Sequence, residues 1–229
     1  MASTEVPVSK LSSAQEVAED LDCTAGCGEF PPDTARLTVR TLRHLAEGRP
    51  LSEAELSELA ADLDGREEAV AAVAMMSERN AEGEIVGHMG LTQADHPHRF
   101  EVDGRELHAW CAWDTLFLPQ LLGKTARVTS QDPATGSTVT LTVTPDGVES
   151  VEDGVIVSVV FPRVEDGEAM GAEQLQEIFC SFVHFFTDLE AAARWFEQRE
   201  MPVSFLTPAE AFELGSIRFA SIIEQVGEA

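Results

Sequence analysis

Apolar residues recur at helical spacing through the first ninety positions, then give way to two-residue alternation. Ser13-Ala-Gln-Glu16 has the form of a capping box and opens a short helix to about Leu21. Pro31-Pro32-Asp33 starts a second helix, which runs through Leu37, Leu42 and Leu45 and stops at Gly48. Ser52-Glu-Ala-Glu55 caps a third, with Leu56, Leu59 and Leu63 on its inner face and Gly65 as its breaker. Glu67 to Arg79 reads as a fourth, with Val70, Val73, Ala74 and Met76 apolar. Glu84 to His88 and Gly90 to Thr92 suggest a small strand pair. Helices followed by a hairpin give the outline of a winged helix-turn-helix.

Beyond His98 the period changes. Arg99 to Val102 and Glu106 to Ala109 form a hairpin about a tight Asp103-Gly104 turn. Thr115 to Leu122 reads as a helix. Thr125 to Ser130 and Thr138 to Thr144 alternate β-branched and polar residues, Val148 to Val151 follows, and Val155 to Phe161 is apolar enough for a central strand. Phe179 to Phe186 is aromatic-rich and reads as a strand, which puts Cys180, Phe182 and His184 on one face. Thr187-Asp-Leu-Glu190 and Thr207-Pro-Ala-Glu210 cap the last two helices, with Val203 to Leu206 as a short strand between them. The expected class is α+β: an N-terminal winged-helix-like helical region, then a mixed, mostly antiparallel sheet core with flanking helices. The expected division is a tail and short helix with a cysteine pair over 1–28, the winged-helix-like region over 29–95, and a catalytic α+β domain over 96–229. The boundary is set near Asp95 to His98, where His96-Pro97-His98 reads as a surface linker.

At 229 residues and 44% hydrophobic the chain can build a proper core, but its net charge of −26 is unusual. That charge argues against nucleic-acid or anionic-membrane binding, which needs a basic face. No apolar run is long enough to span a bilayer, and Met1 to Lys10 lacks the form of a signal peptide. The expected location is cytoplasmic. There, four cysteines read as thiols for chemistry or metal rather than a disulfide framework.

The conspicuous chemistry lies in His108-Ala-Trp-Cys-Ala-Trp-Asp114. Cys111 and Asp114 are three apart, so a following helix places thiol and carboxylate on one face. A helix N-terminus there is expected to lower the thiol pKa. A buried cysteine packed as a small hydrophobe is the commoner case, but a carboxylate in an apolar run needs a partner or a job.

His108 to Leu116, Gly123-Lys-Thr-Ala-Arg-Val128, Ala134-Thr-Gly136 and Phe179-Cys-Ser-Phe-Val-His-Phe-Phe186 together resemble the organomercurial (alkylmercury) lyases, continuously from about Arg99 to Gly215 and more loosely through the helical half. The resemblance implies cleavage of the carbon–mercury bond of an organomercurial cation to a hydrocarbon and Hg²⁺, a step of mercury detoxification. It implies Cys111, Asp114 and Cys180 as the catalytic and mercury-binding set, with no cofactor. It implies small thiols and a mercuric reductase as takers of the product. The residue chemistry agrees: mercury is soft and prefers thiolates, and Asp114 buried between Trp110, Trp113 and Phe179 gains a raised pKa suited to moving a proton. Two departures stand out. Family members often carry a further cysteine where this chain reads Thr129-Ser-Gln-Asp-Pro133, and Trp113 stands where an aliphatic residue is usual.

Cys23 and Cys27 flank Thr-Ala-Gly and lack the ligands to complete a zinc site, so two unrelated thiols are the favoured reading over a mercurial-capturing pair. His184 reads as a hydrogen-bonded core histidine. His108 reads either as a partner for the Cys111 thiolate or as a strand-end group facing water. Two rival functions remain. One is a winged-helix metal-responsive regulator, whose reading helix would begin with the unsuitable Arg66-Glu67-Glu68. The other is a non-catalytic metal-binding protein on the same scaffold, for which Asp114 would be superfluous.

Overall fold

The capping signals in the sequence are used as written, with one exception. The computed structural model describes residues 11–22, 30–162, 170–197, 199 and 201–227. Ser13 and Glu16 exchange hydrogen bonds ahead of α1 (Ala14–Asp22). α2 (Pro32–Ala46) begins with proline, whose missing N–H costs nothing in the first turn. The Ser52–Glu55 capping box opens α3 (Glu53–Leu59). α4 spans Arg66–Met75, shorter than expected. Its anticipated last turn is instead strand β1 (Ser77–Arg79), because Ser77 Oγ bonds back to the Val73 carbonyl at 2.6 Å while the next residues pair with β2 (Ile85–His88). β3 (Leu91–Thr92) completes the first half.

The second half supplies β4 (His98–Val102) and β5 (Arg105–Ala109), joined at Asp103 and Gly104 with φ of 51° and 72°, a pair of left-handed residues that matches strand twist. Helix α5 (Asp114–Leu122) follows, then β6 (Ala126–Gln131), β7 (Thr138–Thr144), β8 (Gly147–Val151) and β9 (Ile156–Val160). α6 (Ala172–Ile178), a 3₁₀ turn (Cys180–Phe182), β10 (Phe185–Phe186), α7 (Leu189–Phe196), β11 (Val203–Leu206), α8 (Pro208–Arg218) and α9 (Ala220–Ile223) complete the order. Thr207 caps α8 as its sequence foretells, whereas α7 is capped by Asp188 rather than Thr187, whose hydroxyl donates to Asp132 instead.

Eight strands form one antiparallel sheet in the order β1-β2-β3-β5-β4-β6-β7-β8, and β10-β9-β11 form a second. The architecture is therefore mixed helix and antiparallel sheet. β3 and β5 are hydrogen-bonded neighbours, so the large sheet runs across the Asp95–His98 position. β4 alternates buried and exposed residues, as a sheet with one covered face requires. β9 is buried along its whole length, the signature of a central strand. Every residue of α5 is buried, so this helix is the core piece between the sheet and α8.

Two further expectations give way. His98 is not a surface linker residue. It begins β4, is 1% exposed and meets Ser130 Oγ at 2.8 Å through Nδ1, and burial pushes its pKa down to about 3, so the ring is neutral. The Phe179–Phe186 strand exists only at Phe185–Phe186. Leu175, Ile178, Phe179 and Phe182 are spaced i, i+3, i+4 and i+7, and that helical period governs the segment up to Phe182. The alternation placing Cys180, Phe182 and His184 on one face therefore fails. Cys23 and Cys27 lie outside the described residues.

Candidate active site

Cys111 occupies the short link between β5 and α5. Asp114 is the first residue of α5, and its side chain folds back so that Oδ2 accepts a hydrogen bond from the Cys111 N–H at 2.7 Å. Thr115 Oγ1 closes the same turn on the Ala112 carbonyl at 2.7 Å. The spacing of three residues thus does bring thiol and carboxylate together, through a side chain that satisfies an N–H ahead of the helix.

Cys180 arrives from the 3₁₀ turn after α6. The Ala112 N–H donates to the Val183 carbonyl at 3.1 Å, a direct backbone tie between the two cysteine segments. The buried Ser158 of β9 anchors the second segment: its Oγ donates to the Phe182 carbonyl at 2.8 Å and accepts from the His184 N–H at 3.0 Å. As a result one ligand atom each from Cys111, Asp114 and Cys180 lies within 4.8 Å of the others, and all three residues are buried. Both cysteines are free thiols.

Enclosure sets the protonation of this triad. Burial, with the Cys180 hydrogen bond and the Asp114 charge, drives the Cys111 thiol well above its ordinary value. The expected lowering by a helix N-terminus is overridden. For Cys180 the hydrogen bond with Cys111 pulls downward, but burial and the Asp114 charge together carry its pKa up. Burial lifts the Asp114 carboxyl from 3.8 to about 7, against hydrogen bonds from the Cys111 side chain and N–H that favour the ionised form. At neutral pH the thiols hold their protons, and the carboxyl is poised to take or give one.

Cys180 and Asp114 border an apolar cavity of about 120 Å³, whose wall also includes Trp110, Trp113, Phe117 and Phe179. Cys111 is fully enclosed and sits behind this wall. Trp110 Nε1 donates to Glu78 Oε2 at 2.8 Å, and Trp113 Nε1 donates to the Ala211 carbonyl at 2.9 Å. Each indole thus has its polar edge satisfied and can turn its ring to the cavity. Trp113 packs edge-on to Phe117 and Phe179 at 5.3 and 6.1 Å, so the three aromatics form one wall.

Other candidates stand apart from the triad. His184 Nε2 donates to the Ser181 carbonyl at 2.9 Å and packs on Trp195 at 5.0 Å, a hydrogen-bonded histidine as expected. His108 Nδ1 lies 2.6 Å from the His96 carbonyl oxygen and so serves the β3–β4 connection. Asp132, in the stretch where family members often carry a further cysteine, is fully buried and accepts from the Ala134 and Thr187 N–H groups and the Thr187 hydroxyl, joining two loops. Three residues about the site escaped the sequence reading: Glu78, Ser158 and Gly90. A serine inside an otherwise all-apolar strand is the available signal for Ser158; Glu78 falls within the expected fourth helix and carries none.

Residues 91–219 match the family model of the MerB alkylmercury lyases, a stretch that contains both cysteines and the aspartate. The chain is 38% identical to an alkylmercury lyase of Pseudomonas putida over 94% of its length and 96% of the relative's. It is 38% identical to one of Streptomyces lividans over 89% of its length and 91% of the relative's. A third, from Staphylococcus epidermidis, is 42% identical over 76% of this chain and 77% of its own. The crystal structure of the mercury-bound form of MerB2 has the same fold, with a TM-score of 0.71 at 22% identity, covering 91% of this chain and 99% of that one. With the family model matching residues 91–219, more than half of this chain, and relatives 38% identical over 94% and 89% of it, this chain belongs to the alkylmercury lyase family.

Proposed function

We propose that this chain is an organomercurial lyase that cleaves the carbon–mercury bond by protonolysis, with Cys111 and Cys180 binding mercury and Asp114 carrying the proton. The observation that carries the reading is the meeting of two buried, protonated thiols and a buried carboxyl whose pKa is raised to about 7, at the edge of an apolar cavity. Family membership supports the activity itself.

The substrate is an organomercurial cation held by a small thiolate. Its organic group enters the aromatic-walled cavity, which excludes water. Cys180 borders the cavity and exchanges first: its sulfur bonds mercury, and its proton leaves with the small thiol. Asp114, ionised, then takes the Cys111 proton, and the Cys111 sulfur forms the second bond to mercury. Two sulfurs raise electron density on the attached carbon. Asp114 delivers its proton there, and the carbon–mercury pair becomes the new carbon–hydrogen bond. The hydrocarbon leaves, and Hg²⁺ stays on the two sulfurs. Soft-metal affinity for thiolate drives the steps, and no electron changes owner. The chemistry asks nothing of a resident cofactor. Product Hg²⁺ passes to small thiols and on to a mercuric reductase, in the cytoplasm. Trp110, Trp113 and Phe179 are the side chains that meet the organic group.

The test is turnover of an organomercurial in excess thiol by the parent, Cys111→Ser, Cys180→Ser and Asp114→Asn, with the hydrocarbon measured by gas chromatography. Each serine variant is expected to release none. Asp114→Asn is expected to bind mercury yet cleave slower by roughly 10²–10⁴-fold, the usual worth of a positioned proton carrier. Undiminished release by any of the three contradicts the assignment.

A further inference from the structure

The turn between β2 and β3 contains two consecutive residues with positive φ, Met89 at 47° and Gly90 at 93°. A methionine there is strained, because its Cβ crowds the backbone, and such strain persists only where the surroundings impose it. The surroundings here are the site. The Trp110 N–H donates to the Gly90 carbonyl at 2.9 Å, one residue before Cys111. A Cβ added at Gly90 would lie 2.4 Å from Asp114 Cγ, 2.6 Å from its Oδ1 and 2.7 Å from its Cβ. The carboxyl group therefore fills the volume that any other residue at position 90 would need. Rotating the carboxyl would not relieve the clash, since the Asp114 Cβ is part of it. The other oxygen, Oδ2, is held by the Cys111 N–H at 2.7 Å.

Conformational freedom alone does not account for this glycine. Gly83, Gly104 and Gly136 also have positive φ, yet a Cβ at any of them meets nothing within 4 Å. Gly90 combines the left-handed backbone with direct contact on the proposed proton carrier. It also lies one residue before the stretch matched by the family model.

We propose that Gly90 is a positioning residue: its bare Cα is the backstop that sets where the Asp114 carboxyl stands relative to the Cys111 and Cys180 sulfurs. This inference rests on reading Asp114 as the proton carrier. Displacing a reacting group by about 1 Å commonly costs about a hundredfold in rate. Binding of mercury by two thiols does not require the carboxyl to be in place.

The experiment compares Gly90→Ala, Gly104→Ala and Asp114→Asn in the full-length protein. Gly90→Ala is expected to lose about a hundredfold in kcat while still retaining Hg²⁺ on the thiol pair, and to shift the pH at which kcat/KM rises. Gly104→Ala carries the same kind of backbone penalty without the contact and is expected to turn over like the parent. Thermal unfolding supplies a readout independent of activity. Gly90→Ala is expected to lower Tm more in the parent than in an Asp114→Gly background, where the clashing side chain is gone. Parent-like turnover by Gly90→Ala overturns the proposal. So does an equal loss of Tm in both backgrounds, including failure of both to fold. Normal turnover by Asp114→Asn would instead remove the proton-carrier reading, and the Tm comparison would still judge the contact.

Discussion

A thiol and a carboxyl that titrate near 9 and 3.8 in water titrate elsewhere once Cys111 and Asp114 are enclosed side by side. Two outcomes follow from the direction of these shifts. In its proposed role as acceptor of the Cys111 proton, Asp114 is ionised in the free enzyme, so kcat/KM is expected to rise as pH passes about 7, and Asp114→Asn should lack that limb. The same raised pKa is a stability statement. The folded state gains from the protonated carboxyl below pH 3.8 and loses that gain progressively as pH rises to about 7. Relative to Asp114→Asn, the parent should therefore lose stability over that window, by roughly 4 kcal/mol at most. Urea denaturation of both proteins at several pH values checks it, and a constant difference across the window contradicts it. The cysteine–aspartate pair was legible in the sequence because its spacing and its apolar setting were both visible. The protonation of the thiols was not, since local helix geometry points one way and burial, a tertiary property, points the other.

Among the elements, α5 and α8 pack against each other beside the cavity, α5 lining it with Asp114 and Phe117 and α8 with Arg218. Gly215 lets the two helices touch: a Cβ there would lie 2.5 Å from Phe117 Cβ. Trp113 and Gln120 of the α5 region donate to carbonyls of α8 at Ala211 and Phe212, so separation of the helices would also disturb the indole at the cavity. Gly215→Ala is expected to destabilise the fold by about 1–3 kcal/mol, as overpacking does, and to raise KM for an arylmercurial more than it lowers kcat. Denaturant midpoints and steady-state kinetics measure both. Most elements could be read from the chain because their caps are local: Ser13, Ser52 and Thr207 each mark a helix start that the fold uses, and at α7 the cap is one residue on from Thr187, at Asp188. The 3₁₀ turn bearing Cys180 was misread as strand. Its aromatic run satisfied a two-residue alternation, while the helical spacing back to Leu175 lay across the supposed boundary. β1 differs from the expected helix because the apolar spacing of α4 runs on to Met76, while Ser77–Arg79, which pair with β2 across the Asn80–Glu84 turn, carry no apolar alternation of their own.

Over the whole molecule, one eight-stranded sheet joins the helical half to the half that bears Cys111 and Cys180. Sequence composition changes near His98, but hydrogen bonding across that point could not be inferred, because strand order is set by long-range pairing. The acidity of the chain bears on its partners. With 41 acidic against 15 basic residues, duplex DNA should show no tight binding in a mobility-shift assay at moderate salt. A tight specific complex would favour a metal-responsive regulator. Among the described residues no helix is long and apolar enough to cross a membrane. Cys23 and Cys27 are expected to be dispensable: the double serine variant should keep most of its turnover, and a loss as deep as that of Cys111→Ser would reorder the thiols.

The most direct measurement is a time course with phenylmercury and excess thiol, in which benzene and Hg²⁺ are quantified together. The account predicts that the two appear in equal amounts, one of each per mercurial consumed, and that with thiol withheld Hg²⁺ remains on the protein after a single turnover. Mercury that stays bound with its phenyl group intact, and no benzene, would contradict it.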